Sequence, residues 1–388
     1  MLRLVGYMNK ISIIGAGIGG LTTALFLKSK GIAHQVFEAA PGIEPVGAGI
    51  GLGNNAMQIF HLLGIGKEIE AAGHKVNYMR ITDEKFRNLS LINLRYFEQK
   101  YGVYNIAIHR AGLQHILAHN LGETNILLGK RLAAIQEKDG YQLRFTDGSC
   151  FEAEGLIGAD GIKSVVRQQL FGKTVVRPAG QVCWRGLCAS KLDDRYAHQA
   201  IEAWGKGRRF GFVYLNASTL YWYAVADEKI AAEHLHQLTT LYQDFHPDIQ
   251  EMIKMTPEKT IIFGPLADLK PFKGWCSGKA CLIGDAAHAT TPNMGQGACQ
   301  AIEDAYTLGS LLGEQDMASA FRGYERLRIK KAHQVVKRSR AIGQVSHWKN
   351  TAGIAIRNRI MKKIPATMNI RQLESVFDIS YVATGNHT

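Results

Sequence analysis

The sequence lacks the features that mark secreted and membrane-spanning proteins. No window approaches 18 uninterrupted apolar residues, and the N-terminus leads straight into a strand-like run instead of a signal-peptide core. We therefore expect no membrane span and no secretion, and we assign the protein to the cytoplasm. We interpret the first seven residues as an upstream extension, with Met8 as the working start.

Signatures of redox-disulfide, hydrolytic and metal chemistry are also missing. The six cysteines form no C-x-x-C pair and lie among apolar or small residues, so we expect buried free thiols in a reducing compartment and no disulfide-reductase activity. Neither G-x-S-x-G nor H-E-x-x-H occurs, which argues against a serine-hydrolase elbow and a zinc-protease site. We predict no metal.

Acidic residues are scarce in one part of the chain. Between Phe321 and Ile364, 13 Lys or Arg face a single acid, Glu325, so this segment holds +12 of the net charge of +13. Because the basicity is local, we predict no nucleic-acid partner. Two interpretations of these basic residues stay open. They form a solvated helix face, or they contact an acidic partner, a phosphate or a membrane surface.

What the sequence does contain is, first, a Gly-rich turn. The 388 residues are 46% apolar and 20% charged, which favours two or three globular domains. Near the start, KISIIGAGIGGLTTALFLKSKG and HQVFEA read as strand, turn, helix and strand, and Glu38 closes the second strand. The turn has the G-x-G-x-x-G spacing that brings backbone amides to a pyrophosphate, and a carboxylate at Glu38 can accept ribose hydroxyls. The predicted dinucleotide ligands in the turn are Gly15, Gly17, Ile18, Gly19 and Gly20.

Two later segments carry acids after apolar runs. GADGIKSVVR contains Asp160, and CLIGDAAHATTPNMGQGACQ contains Asp285 and His288 ahead of a helix that we expect to begin near Gln296. Asp285 with His288 can be a catalytic or metal pair, or the acid can serve a bound cofactor. A zinc site needs further ligands that this segment does not offer, so we interpret His288 as packing or hydrogen-bonding support.

The middle of the chain has a different texture. From about Val182 to Ala226 the strands are rich in aromatics, and we predict an antiparallel sheet beside the nucleotide domain. Alternation along RRFGFVY puts Phe210, Phe212 and Tyr214 on one face and Arg209, Gly211 and Val213 on the other. One face is expected to be core and the other a pocket.

Together, these segments resemble the FAD-dependent aromatic hydroxylases, the single-component flavoprotein monooxygenases of the para-hydroxybenzoate hydroxylase fold. The resemblance runs from Lys10 to about Ala341 and is closest in texture to the urate- and salicylate-hydroxylating branch. It implies an α/β fold: a Rossmann-like FAD-binding domain with an inserted antiparallel β-sheet substrate domain and C-terminal helices. The implied FAD-binding parts are 8–75, 106–175 and 271–320, the substrate domain 76–105 and 176–270, and the basic C-terminal helices 321–388.

The resemblance also implies roles for residues. The Gly-rich turn and Glu38 would hold the ADP half of bound FAD, with Arg110 near the diphosphate. Asp285 would bind the ribityl and pyrophosphate region, and Asp160 belongs to a motif associated with both FAD and NAD(P)H. The segment along the isoalloxazine ring would contain Pro292, Gly295, Gln296 and Gly297. One departure is GLGNNA, where Asn54 stands at a position often held by Pro, in a loop running from Gly47 to Gly53.

The implied reaction uses NADPH or NADH as a transient co-substrate and O2, and it hydroxylates a small aromatic or heteroaromatic substrate through a flavin hydroperoxide. Matching positions in the urate-hydroxylating branch make Arg209 and Tyr221 the candidate catalytic residues, suited to a substrate anion; alternatively, Arg209 is a surface strand residue and Tyr221 is core. A reductase of the same fold without oxygen insertion, and a binding protein with a vestigial flavin site, are the competing functions. The oligomeric state stays open.

Overall fold

The computed structural model describes residues 9–43, 48–172, 174–189, 192–232 and 237–383. Met8 and Gly47, which the sequence interpretation named, lie outside these ranges. The strands are β1 Asn9–Ile14, β2 His34–Phe37, β3 Gly49–Leu52, β4 His74–Val76, β5 Tyr78–Asp83, β6 Asn88–Asn93, β7 Asn105–His109, β8 Ile126–Leu127, β9 Leu132–Glu137, β10 Tyr141–Phe145, β11 Cys150–Gly158, β12 Val176–Ala189, β13 Gln199–Trp204, β14 Arg208–Tyr214, β15 Thr219–Asp227, β16 Ile262–Leu269, β17 Cys276–Ser277 and β18 Ala280–Leu282.

The α-helices follow the same chain order. They are α1 Ile18–Ser29, α2 Asn54–Leu62, α3 Gly66–Ala72, α4 Arg95–Tyr101, α5 Arg110–Leu121, α6 Val165–Leu170, α7 Glu228–Ala232, α8 Leu238–Leu241, α9 Pro247–Met255, α10 Asp285–His288, α11 Gly297–Leu312, α12 Met317–Ser346, α13 Thr351–Lys363, α14 Ala366–Phe377 and α15 Ser380–Ala383.

The nucleotide domain is built on a parallel sheet with β1 at its centre. The order β18–β11–β1–β2–β8 is parallel throughout, and β17 and the β9–β10 hairpin add antiparallel pairs at its margins. The three isoleucines before the Gly-rich turn, Ile11, Ile13 and Ile14, are buried in this sheet, and α1 packs against α5 and α11. The parallel strands end together at one edge, where such sheets bind ligands.

The second sheet has seven strands in the order β16–β12–β15–β14–β13–β5–β6, antiparallel except for the parallel pair β13–β5. On one face, Phe210, Phe212 and Tyr214 form a core with residues of α8 and α9. The opposite face carries Arg209, Gly211 and Val213, because strand residues alternate in direction. The predicted α/β fold with an aromatic-rich second sheet is therefore confirmed.

The expected domain limits agree with the elements in some places only. The limits at 175 and 270 fall between elements, whereas those at 75, 105 and 320 fall inside β4, β7 and α12. The last discrepancy arises because α12 begins at Met317, where the Asp316 side chain accepts a hydrogen bond from the Ser319 amide at 3.0 Å and caps the helix.

Two expectations from composition can be compared with the structure. Among the described residues, no helix is long and apolar enough to cross a membrane. The six cysteines are free, but the expectation that all are buried is wrong for Cys150, which is exposed at the start of β11.

Candidate cofactor and substrate site

The Gly-rich turn is shaped by close approach of two backbones. Gly15 has φ +106°, and a Cβ there would lie 2.5 Å from the Ala159 carbonyl oxygen. A Cβ on Gly20 would lie 2.0 Å from the Gly15 carbonyl oxygen, whereas one on Gly17 would meet nothing within 4 Å. The turn is therefore packed on its inner side and open in front of the α1 N-terminus, where no side chain caps the helix.

Glu38 follows β2 and reaches this turn. Its carboxylate accepts the Ala16 amide at 2.7 Å and the Ala40 amide at 2.9 Å. Each carboxylate oxygen has a second lone pair, so the half-buried side chain can still accept hydroxyl groups beside the open turn.

The segment after β11, which contains Asp160, connects the Gly-rich turn to the segment that contains Asp285. Asp160 Oδ2 accepts the Val165 and Val166 amides at 2.6 and 3.2 Å, while Asp160 Oδ1 is buried and has no hydrogen-bond partner in the described structure. Burial raises the pKa of Asp160, and the hydrogen bonds that it accepts oppose that rise. The buried Arg167 guanidinium donates to the Ala286 carbonyl at 2.8 Å and so ties this segment to α10.

Asp285 lies shortly after β18, where the chain leaves the parallel sheet. It opens α10, three residues after β18 ends, rather than ending the strand as the sequence suggested. Its side chain is exposed, yet burial raises the pKa of its carboxyl, with His288 and Arg110 acting in the opposite direction. Arg110, at the start of α5, is near enough to Asp285 to act on it electrostatically.

His288 is a support and not a member of a metal cluster. Its Nε2 lies 2.5 Å from Asp304 Oδ2, both side chains are buried, and the imidazole packs against Trp275. Although burial opposes it, the charges of His288 and Arg328 lower the pKa of Asp304 to about 2. The interpretation of His288 as hydrogen-bonding support is confirmed, and no cluster of three potential metal ligands occurs in the described ranges.

The loop before α11 connects the two sheets. Pro292 begins a 3₁₀ turn, Gly295 adopts φ +61°, and Gln296 precedes the helix start at Gly297. Gln296 Oε1 accepts the Asn55 amide group at 3.1 Å, which fixes the loop against the start of α2.

Asn54, the departure from the family pattern, is accommodated in α2. It occupies the first helical position, where Pro is tolerated because that N–H has no partner within the helix. The buried Asn54 side chain instead donates to the Val103 carbonyl and accepts the Asn105 amide group, both at 2.7 Å.

These features fit a dinucleotide cofactor such as FAD. An uncapped helix start faces open space, a carboxylate beside it keeps free lone pairs, a buried Asp160 oxygen has no partner among the described residues, and the exposed Asp285 carboxylate lies near Arg110. The α11 start is likewise uncapped by side chains and has no acid in its first turn, so it favours negative charge placed against it. The described residues therefore provide an extended polar cleft for an anionic, hydroxyl-rich molecule.

Arg209 proves to be neither a surface residue nor a free cation. It is 1% exposed, its Nη1 lies 3.2 Å from Glu202 Oε1, and its Nη2 donates to Asn293 Oδ1. The arginine therefore joins the substrate-sheet face to the loop beside Pro292, with its positive charge balanced by Glu202. Its Nε has no partner in the described structure.

Glu202 is the centre of a hydrogen-bonded group that sequence reasoning missed. Besides Arg209, it accepts Trp204 Nε1 at 2.5 Å and the Tyr223 hydroxyl. A Cβ on Gly211 would lie 2.4 Å from that hydroxyl, so the glycine provides the space for this contact. The only sequence signal was the hairpin between β13 and β14, whose register puts Glu202 on the Arg209 face.

Tyr221 lies on the same face as Tyr223, and both are partly exposed. Burial raises the pKa of each phenol, so both stay protonated and act as hydrogen-bond donors. A Cβ on Gly49 would lie 2.5 Å from the Tyr221 ring, which shows that β3 backbone packs directly against it.

The surroundings of Tyr221 are mixed: Arg185, on the same face of β12, is close enough to hydrogen-bond its phenol, and apolar side chains lie on other sides. Partly buried apolar side chains from the sheet, from the loop before α11 and from α14 pack against one cluster there. They are Met79, Ile92, Leu187, Ala200, Val213, Met294, Ile370 and Leu373. The face therefore offers an apolar lining with a few polar groups, as small-molecule sites do.

The chain is similar to known flavoproteins along nearly its whole length. Residues 8–339 match the FAD binding domain family. The chain is 36% identical over 358 residues to an aurachin C monooxygenase/isomerase of Stigmatella aurantiaca, covering 91% of this chain and 93% of that protein. It is 33% identical over 356 residues to a FAD-dependent urate hydroxylase of Klebsiella oxytoca, covering 88% and 92%. The structure of Klebsiella pneumoniae HpxO with FAD and uric acid has a TM-score of 0.86 at 29% identity, covering 96% of this chain and 97% of that one.

Proposed function

This chain belongs to the FAD binding domain family of FAD-dependent aromatic hydroxylases, and on that premise we propose which residues hold the cofactor and which kind of ring they receive. The protein is a FAD-dependent monooxygenase acting on an aromatic substrate. The net reaction takes O2, NAD(P)H, a proton and an aromatic C–H, and gives the hydroxylated ring, NAD(P)+ and water. Bound FAD supplies the redox chemistry: it accepts hydride from NAD(P)H and activates O2.

The cofactor-binding residues follow from the cleft. In this proposal the turn from Gly15 to Gly20 holds the pyrophosphate at the α1 N-terminus, and Glu38 accepts the ribose hydroxyls. Arg110 would lie near the diphosphate, and Asp285, on which Arg110 acts electrostatically, would hold the ribityl and pyrophosphate region. The turn from Pro292 to Gly297 stabilises negative charge on the reduced ring.

The substrate is proposed to be an uncharged aromatic or heteroaromatic molecule with an O–H or N–H group. The observation that carries this is the pairing of Arg209 with Glu202. An anion placed beside Arg209 would meet the carboxylate of Glu202, and like charges at short range repel. The sequence-based expectation of an anionic substrate stays a prediction, and the Arg209–Glu202 pair is the ground on which we propose an uncharged substrate instead.

In this proposal Glu202 contacts the substrate directly. Arg209, Trp204 and Tyr223 use three of its four lone-pair sites. The remaining site can accept the substrate O–H or N–H, which raises electron density in the ring that is to be hydroxylated. Tyr221, as a protonated phenol, orients the ring from the neighbouring strand.

Replacing the carboxylate tests this assignment. In Glu202→Gln the shape is kept, the hydrogen-bond acceptor is weakened and Arg209 loses its counter-charge. We expect kcat/KM for uncharged rings to fall by roughly 100-fold, the relative rate on carboxylated rings to rise, and FAD content to stay constant. Glu152→Gln, on the exposed side of β11, is the matched control. An unchanged ratio of kcat/KM for uncharged and carboxylated rings would show that Glu202 does not select charge.

A further inference from the structure

An exposed apolar stripe follows the outer side of α13 and continues into α14. Ile356, Ile360, Ile364 and Met368 recur every four residues and are 58%, 57%, 38% and 51% exposed. Trp348, just before α13, is 41% exposed. Ile356 and Ile360, four residues apart, lie on one side of α13, while Ile364 follows the end of that helix and Met368 lies in α14. Exposed apolar side chains that follow one another in this way mark an interaction site.

Cations border this stripe. Arg359, Lys362 and Lys363 are exposed on α13 and Arg371 is exposed on α14, and none of them forms an ion pair within the described ranges. From His347 to Leu373 the sequence contains no Asp or Glu. The charge along this stretch of the sequence is therefore of one sign; the acids that other segments bring near it act on Arg357 and Lys349, which are not among the four bordering cations.

The inner side of α13 packs against the rest of the protein. Arg357 is 3% exposed, its Nη1 donates to the Val345 and Ser346 carbonyls at 3.2 and 3.1 Å, and its guanidinium lies 5.2 Å from the Trp204 ring centroid. Because this contact fixes the rotation of the helix, the isoleucines cannot turn inward without breaking it. The stripe and its bordering cations form a surface directed away from the protein, which we call the basic apolar face.

We propose that the basic apolar face docks the enzyme on membranes that contain anionic lipids. Isoleucine, methionine and tryptophan side chains can enter the boundary between headgroups and acyl chains, while the flanking cations meet lipid phosphates. A second copy of the same face is disfavoured as the occupant, because it would place like charges opposite each other. A purely acidic protein or nucleic acid would use the cations but leave the isoleucines in water.

The face adjoins the site. On α14, Met368 is exposed whereas Ile370 and Leu373 pack into the apolar cluster with Tyr221 and Met294. The Asn369 side chain donates to Ser90 Oγ at 3.3 Å and holds α14 against β6. If the proposed uncharged substrate is correct, docking places its apolar pocket next to the phase in which such molecules dissolve; this last step rests on the proposed function, while the docking does not.

Vesicle sedimentation of the FAD-loaded enzyme tests the docking. The probes are vesicles of phosphatidylcholine alone and vesicles with about one-third phosphatidylglycerol. We expect binding to the anionic vesicles only, weakened by high salt. Ile356→Ser/Ile360→Ser is expected to lower the partition coefficient at least ten-fold, and Lys362→Gln/Lys363→Gln by about 25-fold, since each cation at such a surface contributes about five-fold.

Two control variants on other surfaces test whether a loss of binding is specific to the basic apolar face. Leu62→Ser removes a side chain that is 63% exposed elsewhere, and Lys259→Gln removes an exposed cation from another surface; both should bind like the wild type. Absence of wild-type binding, or binding that depends on the lysines and not on the isoleucines, overturns the proposal. The proposal is also overturned if the wild type does not bind vesicles and sedimentation velocity shows that Ile356→Ser/Ile360→Ser dissociates an oligomer. Hydroxylase activity in detergent-free solution is measured separately, so failure to dock is distinguished from failure of the proposed function.

Discussion

At the residue scale, the main result is that Arg209 is held by other protein groups. Its Nη2 donates to Asn293, whose own amide group donates to Thr291 Oγ1 at 2.9 Å and to the Ser339 carbonyl at 2.7 Å. A Cβ on Gly343 would lie 2.4 Å from that amide nitrogen, so α12 comes close enough to complete the arrangement. In the proposed function, Arg209 is thus a positioning residue for the loop before α11, and Glu202 and Tyr221 contact the substrate.

Removing the Tyr221 hydroxyl tests how much this group contributes to kcat/KM. In Tyr221→Phe the ring that packs against β3 is kept and one donor is lost. We expect kcat/KM to fall about 5- to 15-fold, the equivalent of one hydrogen bond, with FAD content unchanged. Tyr96→Phe, at an exposed site, is the control. Full activity in Tyr221→Phe would mean that the hydroxyl does not meet the substrate.

Asp285 should show a conflict between stability and cofactor binding. Its pKa is raised above the ordinary value of 3.8 chiefly by burial, so its favourable contribution to folding is complete below the unfolded pKa and is lost as pH rises through the folded pKa. Asp285→Asn should therefore raise the melting temperature of the FAD-free protein at pH 7 but not at or below pH 4. The same change should weaken FAD binding by about ten-fold or more.

Two measurements check this pair of effects: thermal unfolding of the FAD-free protein at both pH values, and titration with FAD. Asp139→Asn, at an exposed position, should alter neither. If Asp285→Asn leaves FAD affinity unchanged, the cofactor role of Asp285 is refuted.

At the element scale, a buried ion network joins α11, α12 and the C-terminal segment. Arg328 Nη1 lies 2.7 Å from Glu303 Oε2 and Arg328 Nε lies 2.8 Å from Asp304 Oδ1, with all three side chains fully buried. Lys331 and the Tyr381 hydroxyl also contact Glu303 Oε2, at 2.8 and 2.9 Å. Because Glu303 accepts Asn55 as well, the network reaches the loop at the flavin cleft.

Breaking this network should be costly. Arg328→Met leaves two buried carboxylates short of a partner, so we expect the free energy of unfolding to fall by about 3–5 kcal/mol. Arg322→Met, on the exposed side of α12, should change it by less than about 0.5 kcal/mol. Chemical denaturation of both FAD-loaded variants gives the comparison. Equal stability of the two variants would mean that the network is dispensable.

The elements also show which parts of the site a sequence can reveal. The Gly-rich turn and the two faces of β14 were predictable, because a turn spacing and a period of two are local properties. The Arg209–Glu202 pair depends on register across a hairpin, and Arg328 meets Glu303 from 25 residues away. Such contacts are set by how elements pack, which one sequence alone does not contain. For this reason Arg209 was interpreted as a free cation.

At the scale of the whole molecule, the candidate site draws on residues of both large sheets and of the C-terminal helices. The nucleotide sheet provides the turn, Glu38 and Asp285, the second sheet provides Glu202 and Tyr221, and α14 adds apolar side chains beside Tyr221. The resemblance seen in the sequence ended near Ala341, yet α14 lies at the site. The basic segment is therefore part of the enzyme's working surface in this account.

The central claim is that the protein inserts oxygen into an uncharged ring held by Glu202. The most direct measurement uses FAD-loaded enzyme, NAD(P)H, ¹⁸O₂ and pairs of phenols or N–H heterocycles that differ only by a carboxylate. The account predicts that the uncharged member of a pair stimulates NAD(P)H oxidation and that its product carries one ¹⁸O atom, while the carboxylated member does neither. Labelled product from the carboxylated members alone, or NAD(P)H oxidation without label in any product, would contradict it.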